Sequence, residues 1–271
     1  MDADVVFNNL NELHPDMANP RVRVQVFAIS RKFNYRNPNT LGPMEVILID
    51  QHGDKMIAFV EMSLIALFEN MLVEGHFLQI DGFSLVPYQD HCKLINTLWM
   101  IRFLHHTQLL PYLGFHLPND GYHPVSYTDI NNNVLHPRIA FDVVGRLVEL
   151  WRMRVNHVYG HVLQSITFTL EDLEGNRIRG TIWSKLALQL HEYATNHVND
   201  GVPLVCLLNN VFIKQWQGAP FVSNHPWGSR LFINAGIDSI VDYTQAFEGI
   251  HGGGILEGQN DGNNAAFIFI D

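Results

Sequence analysis

The strongest constraint on this chain is a phrase that it contains twice. Residues 48–60 read LIDQHGDKMIAFV and residues 170–183 read LEDLEGNRIRGTIW. Asp50, Gly53 and Lys55 of the first answer to Asp172, Gly175 and Arg177 of the second, each pair 122 positions apart. Solenoids and propellers repeat every 20–50 residues. A spacing near 120 is instead that of one small domain. A chain of 271 residues is long enough for two such domains, each with its own core. Within each phrase the chemistry is that of a hairpin turn. Aspartate bonds the backbone two residues on, and glycine takes positive φ. Neither carboxylate is expected to hold a metal or to catalyse.

The order of signals around the phrase is the same in both copies. RVRVQVFAIS (21–30) alternates and is rich in β-branched residues, as a half-buried strand is. The polar loop RKFNYRNPNTLGP follows, then the strands MEVILID and KMIAFVEM either side of the turn. SLIALFENMLVEG has helical spacing with Gly75 just beyond it, and HFLQIDGFSLV and KLINTLWMIRF supply two more strands. The second copy runs FDVVGRLVELWRM, a loop, SITFTLED, the turn, NRIRGTIW, the helix SKLALQLHEYATNHV, VPLVCLLNNVFI and APFVS. Three strands, a helix and two strands is the order of a five-stranded oligonucleotide/oligosaccharide-binding barrel, the OB-fold. The expected fold class is therefore all-β with short helices, as two tandem five-stranded OB-fold barrels. The first spans 5–106 and the second 137–247. Residues 107–136 form a proline-rich linker whose Tyr112, Phe115 and Tyr122 are expected to dock. INAGIDSIVDYTQAF (233–247) reads as a helix packing on the second barrel. The tail 248–271, rich in Gly and Asn, is expected to be disordered, with its FIFI end able to dock as a strand.

Hydrophobic residues make up 47% and charged residues 16% of the chain, which argues against wholesale disorder. No apolar run reaches the roughly 18–20 residues that span a bilayer. MDADVVFNNL lacks a basic stretch followed by an apolar one, so no secretory signal is expected. Cys92 and Cys206 fall in different copies, which fits neither a disulfide framework nor a zinc site and favours a reducing compartment. The net charge of −10 is unevenly spread. Residues 20–106 hold eight Lys/Arg and eight Asp/Glu, and residues 137–233 hold nine and seven. The two barrels together are near neutral, with the excess acid outside them, so contact with phosphate is not excluded.

With these motifs in place the chain resembles the large subunit of replication protein A, particularly the related single-stranded DNA-binding proteins of plants. VRVQVFAIS, VILIDQHGDKMIAFV, LVEGHFLQI and IRFLHHT carry the resemblance in the first copy. FDVVGRLVEL, LEDLEGNRIRGTIW, FIKQWQG and SRLFINAGID carry it in the second. It covers roughly residues 5–247. The resemblance implies sequence-tolerant binding of single-stranded DNA in replication, repair and recombination, in the nucleus, alongside other replication or repair proteins. It also implies base stacking on Trp183 and Trp216 in the second barrel. In the first barrel Met44 stands where the family has an aromatic residue, and the other platform corresponds approximately to Phe68. Stacking there is otherwise expected from Phe33, Tyr35 or Phe59. The zinc-bearing barrel that assembles the family's heterotrimer is absent, so trimer assembly is not expected.

Base stacking contributes about 1–3 kcal/mol per base and tolerates any base. In RIRGTIW, Ile178, Gly180 and Ile182 share one face, which leaves Trp183 with Arg177, Arg179 and Thr181 on the other. Trp216 lies in a polar loop. Arg152, Arg154, Arg177, Arg179, Lys185 and Lys214 are the candidate phosphate contacts of the second barrel. Arg31, Lys32 and Arg36, interleaved with Phe33 and Tyr35, are those of the first. His157 and His161 lie four apart in a loop without a carboxylate. His191 and His197 are six apart, which is not zinc-protease spacing. No P-loop, nucleophile elbow or paired-carboxylate motif occurs, so neither enzyme activity nor a cofactor nor a membrane partner is expected. The alternative readings are a protein-interaction adaptor built on the same barrels, and a binder of single-stranded RNA.

Overall fold

The computed structural model describes residues 6–34, 37–158, 161–251 and 267–270. The chain divides into two compact units, Met1–Gly121 and Tyr122–Asp271. The first holds strands β1 (Val22–Asn34), β2 (Asn37–Ile49) and β3 (Lys55–Val60), then a single helical turn α1 (Ile65–Phe68). β4 (Phe77–Asp81), β5 (Ser84–Pro87), β6 (Trp99–Arg102) and β7 (Gln108–Pro111) follow. β2 pairs antiparallel with β1 and β3, β1 with β4, and β5 with β6. β3 pairs parallel with β6 at Ala58↔Ile101. β4 leads directly into β5 through Gly82 (φ 68°) and Phe83, so the run β5-β6-β3-β2-β1-β4 comes round on itself through the chain. Val24, Val46, Leu48, Ala58, Leu78 and Ile101 fill it.

The second unit begins with the short helix α2 (Tyr127–Asn131), capped by the Ser126 hydroxyl, which accepts from the Thr128 N–H. Next come β8 (Phe141–Trp151), β9 (Arg154–Val158), β10 (His161–Glu171), β11 (Arg177–Trp183), α3 (Lys185–His197), β12 (Val205–Trp216), β13 (Ala219–Asn224) and β14 (Arg230–Ile233). α4 (Asp238–His251) and β15 (Ile268–Ile270) complete it. β10 joins β8 to β11, β11 runs parallel to β13, β13 pairs with β12, and β12 returns to β8. Five strands thus form a closed barrel, in which every central strand finds both of its neighbours. Leu186, Ala187, Leu190 and Ala194 of α3 follow helical spacing and bury in the same core as Leu147, Ile166 and Phe168. Both units are OB-folds, with extra strands that extend the sheets to seven and eight.

The repeated turn works as its chemistry requires. Asp50 Oδ1 accepts from the N–H groups of His52 and Asp54, and Gly53 sits at φ 85°. Asp172 Oδ1 accepts from Glu174 and Asn176, and Gly175 sits at φ 80°.

Three stretches differ from the sequence expectation. The loop 31–43 is mostly ladder, because β1 and β2 keep pairing out to Asn34↔Asn37. In the second unit β9 and β10 extend the same region as a hairpin through His161↔Val158. The stretch 107–136 is shared between the units and has structure of its own. β7 pairs with β4, and Phe115 meets Phe77 edge-on at 4.9 Å. Tyr127 and Ile130 of α2 enter the second core, and Tyr122 packs on Phe232 at 5.5 Å. At the C-terminal end α4 continues to His251 and buries Ile240 and Tyr243 against Val205 and Leu207. Of the tail expected to be disordered, residues 252–266 lie outside the described residues. Phe267 enters the barrel core, and Ile268–Ile270 pair in parallel with Glu149–Trp151 of β8.

Candidate nucleic-acid interface

The alternation of β11 decides which side chains reach the surface of the second barrel. Ile178, Gly180 and Ile182 are buried, while Arg177 and Arg179 are exposed and Thr181 and Trp183 half-buried on the opposite face. β10 runs beside it and places Ser165 opposite Trp183, Thr167 opposite Thr181 and Thr169 opposite Arg179. Ser165 is also opposite Arg154 of β9. Arg154, Ser165 and Trp183 therefore form one row across three strands, side chains on one face. The Thr167 and Thr181 hydroxyls share a hydrogen bond of 3.2 Å, and Asn156 donates to the Ser165 hydroxyl at 2.7 Å. The floor of this face is thus made of short hydroxyl side chains, with larger groups standing around it.

One of those larger groups is Trp151, which the sequence reading missed. Strict alternation from the core residue Leu147 would turn Trp151 inward. Instead Leu147 and Glu149 oppose the consecutive residues Leu170 and Thr169, so Val148 is a bulge. The bulge reverses the parity of β8. Leu150 enters the core, and Trp151 comes out half-buried on the face of Arg179, whose guanidinium lies 4.3 Å from its ring centroid. The signal was present only as an unusually long apolar run, Leu147, Val148 and Leu150, at the end of a strand.

Trp216 ends β12 and is 70% exposed. Gln217 and Gly218 both take positive φ, at 50° and 82°, which closes a two-residue hairpin from Trp216 to Ala219. The turn holds the indole out from the sheet. Lys214 is exposed on the same face of β12 and opposite Phe221. Arg152 is exposed beside Trp151, its N–H donating to the Ile270 carbonyl at 2.8 Å. Lys185 is exposed at the start of α3.

The cations divide into bound and free. Glu171 accepts from Arg146 at 2.6 Å and from Arg177 at 2.8 Å. Burial alone would raise its carboxyl, but these two guanidinium groups hold it below the usual carboxylate range. Arg177 is thereby committed to the fold. Arg152, Arg154, Arg179 and Lys214 make no ion pair among the described residues, and Glu149 beside them accepts from the Thr169 hydroxyl at 2.7 Å.

The first barrel presents a different face. The positions 122 residues before Trp183, Arg179 and Thr167 are Glu61, Ile57 and Glu45. Glu61 is ion-paired with Arg102, and Ile57, Ile47 and Ile49 on the outer side are buried. The chain's own segment reaches this side, with Gly121 against Phe27 and Ile49 and Pro118 near Gly53. Lys32, expected as a phosphate contact, is instead held by Glu45 at 2.7 Å and Asp90 at 2.8 Å. Burial works against its charge, but the hydrogen bonds of the two carboxylates raise its ammonium above the ordinary lysine value. Arg31 donates through Nε to the Gly42 carbonyl at 3.0 Å. Phe68, expected as a stacking platform, is only 4% exposed and edge-on to Phe103 at 5.1 Å. It belongs to the barrel core with Ile65, because the single turn of α1 has only its inner side to bury. Met44 is in the same core. Tyr35 and Arg36 lie outside the described residues, as does the side chain of Phe33. No cluster of three or more metal-ligating side chains occurs among the described residues.

Comparison with known proteins bears on the architecture. Over 96% of its length the chain superposes on a chain of a replication protein A heterotrimer bound to single-stranded DNA, with a TM-score of 0.59 and 18% identity. The likeness is one of fold. This chain spans 59% of the length of that one. Residues 11–115 match the family model of a domain of unknown function, DUF223. A weaker likeness joins 79% of the chain to 95% of an Ifi202 HINa domain in complex with duplex DNA, at a TM-score of 0.43 and 12% identity. No curated protein matches the sequence.

Proposed function

We propose that the chain is a non-enzymatic binder of single-stranded DNA and that the second barrel holds the strand. One observation carries this reading. The face of β10 and β11 gathers Trp183, Arg154 and Arg179 over a floor of hydroxyls, with Trp216 and Lys214 at its rim. Indole rings offer a surface to any base, and unpaired cations attract phosphate without reading sequence. The topology shared with a protein captured on single-stranded DNA supports the same reading, although fold alone does not carry function. A nuclear protein of DNA replication, repair or recombination is the setting that follows from it.

Titration of labelled oligo-dT tests the proposal. Trp183→Ala and Trp216→Ala are each expected to weaken binding by about 5- to 150-fold, the equivalent of 1–3 kcal/mol per stacked base. Wild-type affinity is expected to fall steeply with added salt. Unchanged binding in both variants would overturn the reading. Duplex DNA and single-stranded RNA, run in parallel, show whether the unpaired deoxy strand is the preferred form. The first barrel favours a second role. Its outer isoleucines are buried and Lys32 is clamped by two carboxylates, which suits a scaffold or protein-docking module better than a strand-binding groove.

A further inference from the structure

The proposed binding face contains a tryptophan that the reading above leaves without a task. We propose that Trp151, with the Arg179 guanidinium laid over it, is a third stacking station that lengthens the nucleic-acid track along the second barrel. The inference rests on the single-strand reading of this face. Trp151 is placed for surface work by a bulge. Without Val148 looped out of the ladder, its ring would point into the barrel beside Leu147. Its backbone is held on the far side by β15, through the pairing Ile270↔Trp151 and the bond from the Arg152 N–H to the Ile270 carbonyl. The ring therefore stands on a clamped strand, which limits the freedom that a base would have to freeze on binding.

The geometry around it is that of a shelf. The Trp151 ring reaches over β10 to meet Arg179 of β11, at 4.3 Å from centroid to guanidinium. A guanidinium stacked on an indole keeps its outer plane open, and a base can lie on that plane as it would on a ring. Thr167, Thr181 and Ser165 are short, so nothing tall stands between this shelf and the Trp183–Arg154 row. Arg179 and Trp183 are four residues apart on one strand. That is about 13 Å at 3.3 Å per residue, the length of about four stacked nucleotides at 3.4 Å each. The nearby Glu149 carboxylate is engaged by the Thr169 hydroxyl at 2.7 Å, so the shelf is not bare cation. Arg179 at the shelf and Arg154 in the next row give the face two cations to this one carboxylate, so the balance still favours phosphate.

An oligo-dT length series on the full chain decides the matter. Wild-type affinity is expected to rise with length and then level off. Trp151→Leu, which keeps apolar bulk without a π-face, is expected to level off about two to four nucleotides earlier and about 5- to 150-fold weaker. The shortest oligomers, held by the Trp183–Arg154 row alone, are expected to bind both proteins alike. If Trp151→Leu melts well below wild type, Arg179→Ala replaces it, since Arg179 is exposed and in no ion pair. A shelf residue shortens the footprint, whereas a plain phosphate contact only lowers the salt slope by about one. Wild-type binding with an unaltered footprint in the folded variant overturns the inference and leaves the parent reading intact. Absence of any single-strand binding by the wild type overturns both.

Discussion

At the scale of single residues, the paired charges of the second unit serve its fold and leave binding to the others. Glu171 joins Arg146 and Arg177, and Tyr243 donates to its carbonyl at 2.7 Å. Because its folded carboxyl titrates below the unfolded value of about 4.3, the ionised form stabilises the fold above that pH. The contribution is lost as pH falls through the lower folded value. Glu171→Gln is therefore expected to melt a few degrees lower near neutrality, with the gap closing below about pH 4 in a pH series of thermal melts. The residue-level reading of the sequence succeeded where alternation was unbroken, as from Arg177 to Trp183. It failed at Phe68, because one helical turn has too few residues for spacing to say which side is buried. Lys32 misled for another reason: its partners Glu45 and Asp90 lie thirteen and fifty-eight positions away in sequence, and nothing local announces either.

At the scale of elements, the turn that repeats in both copies was readable because aspartate and glycine do local work. The helix from Lys185 to His197 was readable from its spacing. What lay beyond reach was set by register. A single bulge at Val148 inverted the outer half of β8, and the hairpins that replaced two expected loops depend on which residues pair across them, from Asn34↔Asn37 out to Arg31↔Met44 and from His161↔Val158 out to Ser165↔Arg154. The docking of the FIFI segment was anticipated as a capacity, and the structure supplies its acceptor, the edge of β8. Phe267 is only 3% exposed within the barrel core. Phe267→Ala is accordingly expected to destabilise the second unit by about 3–5 kcal/mol. Denaturant unfolding followed by Trp fluorescence would show an earlier transition for that unit and an unmoved one for the first. A shift of less than about 1 kcal/mol would mean that the strand is a surface ornament.

At the scale of the whole molecule, two copies of one fold have taken different faces. A fragment of residues 122–271 is expected to bind oligo-dT within about threefold of the full chain, and a fragment of residues 1–121 to bind it far more weakly. Fluorescence anisotropy on the separated units would check both. Strong binding by the first fragment would move the site to a barrel whose outer isoleucines are buried. The fold class was legible because the order of strands, turn and helix recurs at one spacing. The division of labour was not, since it lies in which segments cover which face. Each barrel is sealed by a parallel pair between distant strands, Ala58↔Ile101 in one and Gly180↔Val222 in the other. Such a seam cannot form by zipping outward from a turn, because more than forty residues must be gathered before any contact rewards the closure. Until then each half-made barrel carries bare strand edges. A newly synthesised chain is most prone to pair with its neighbours in that interval, before either ring is shut.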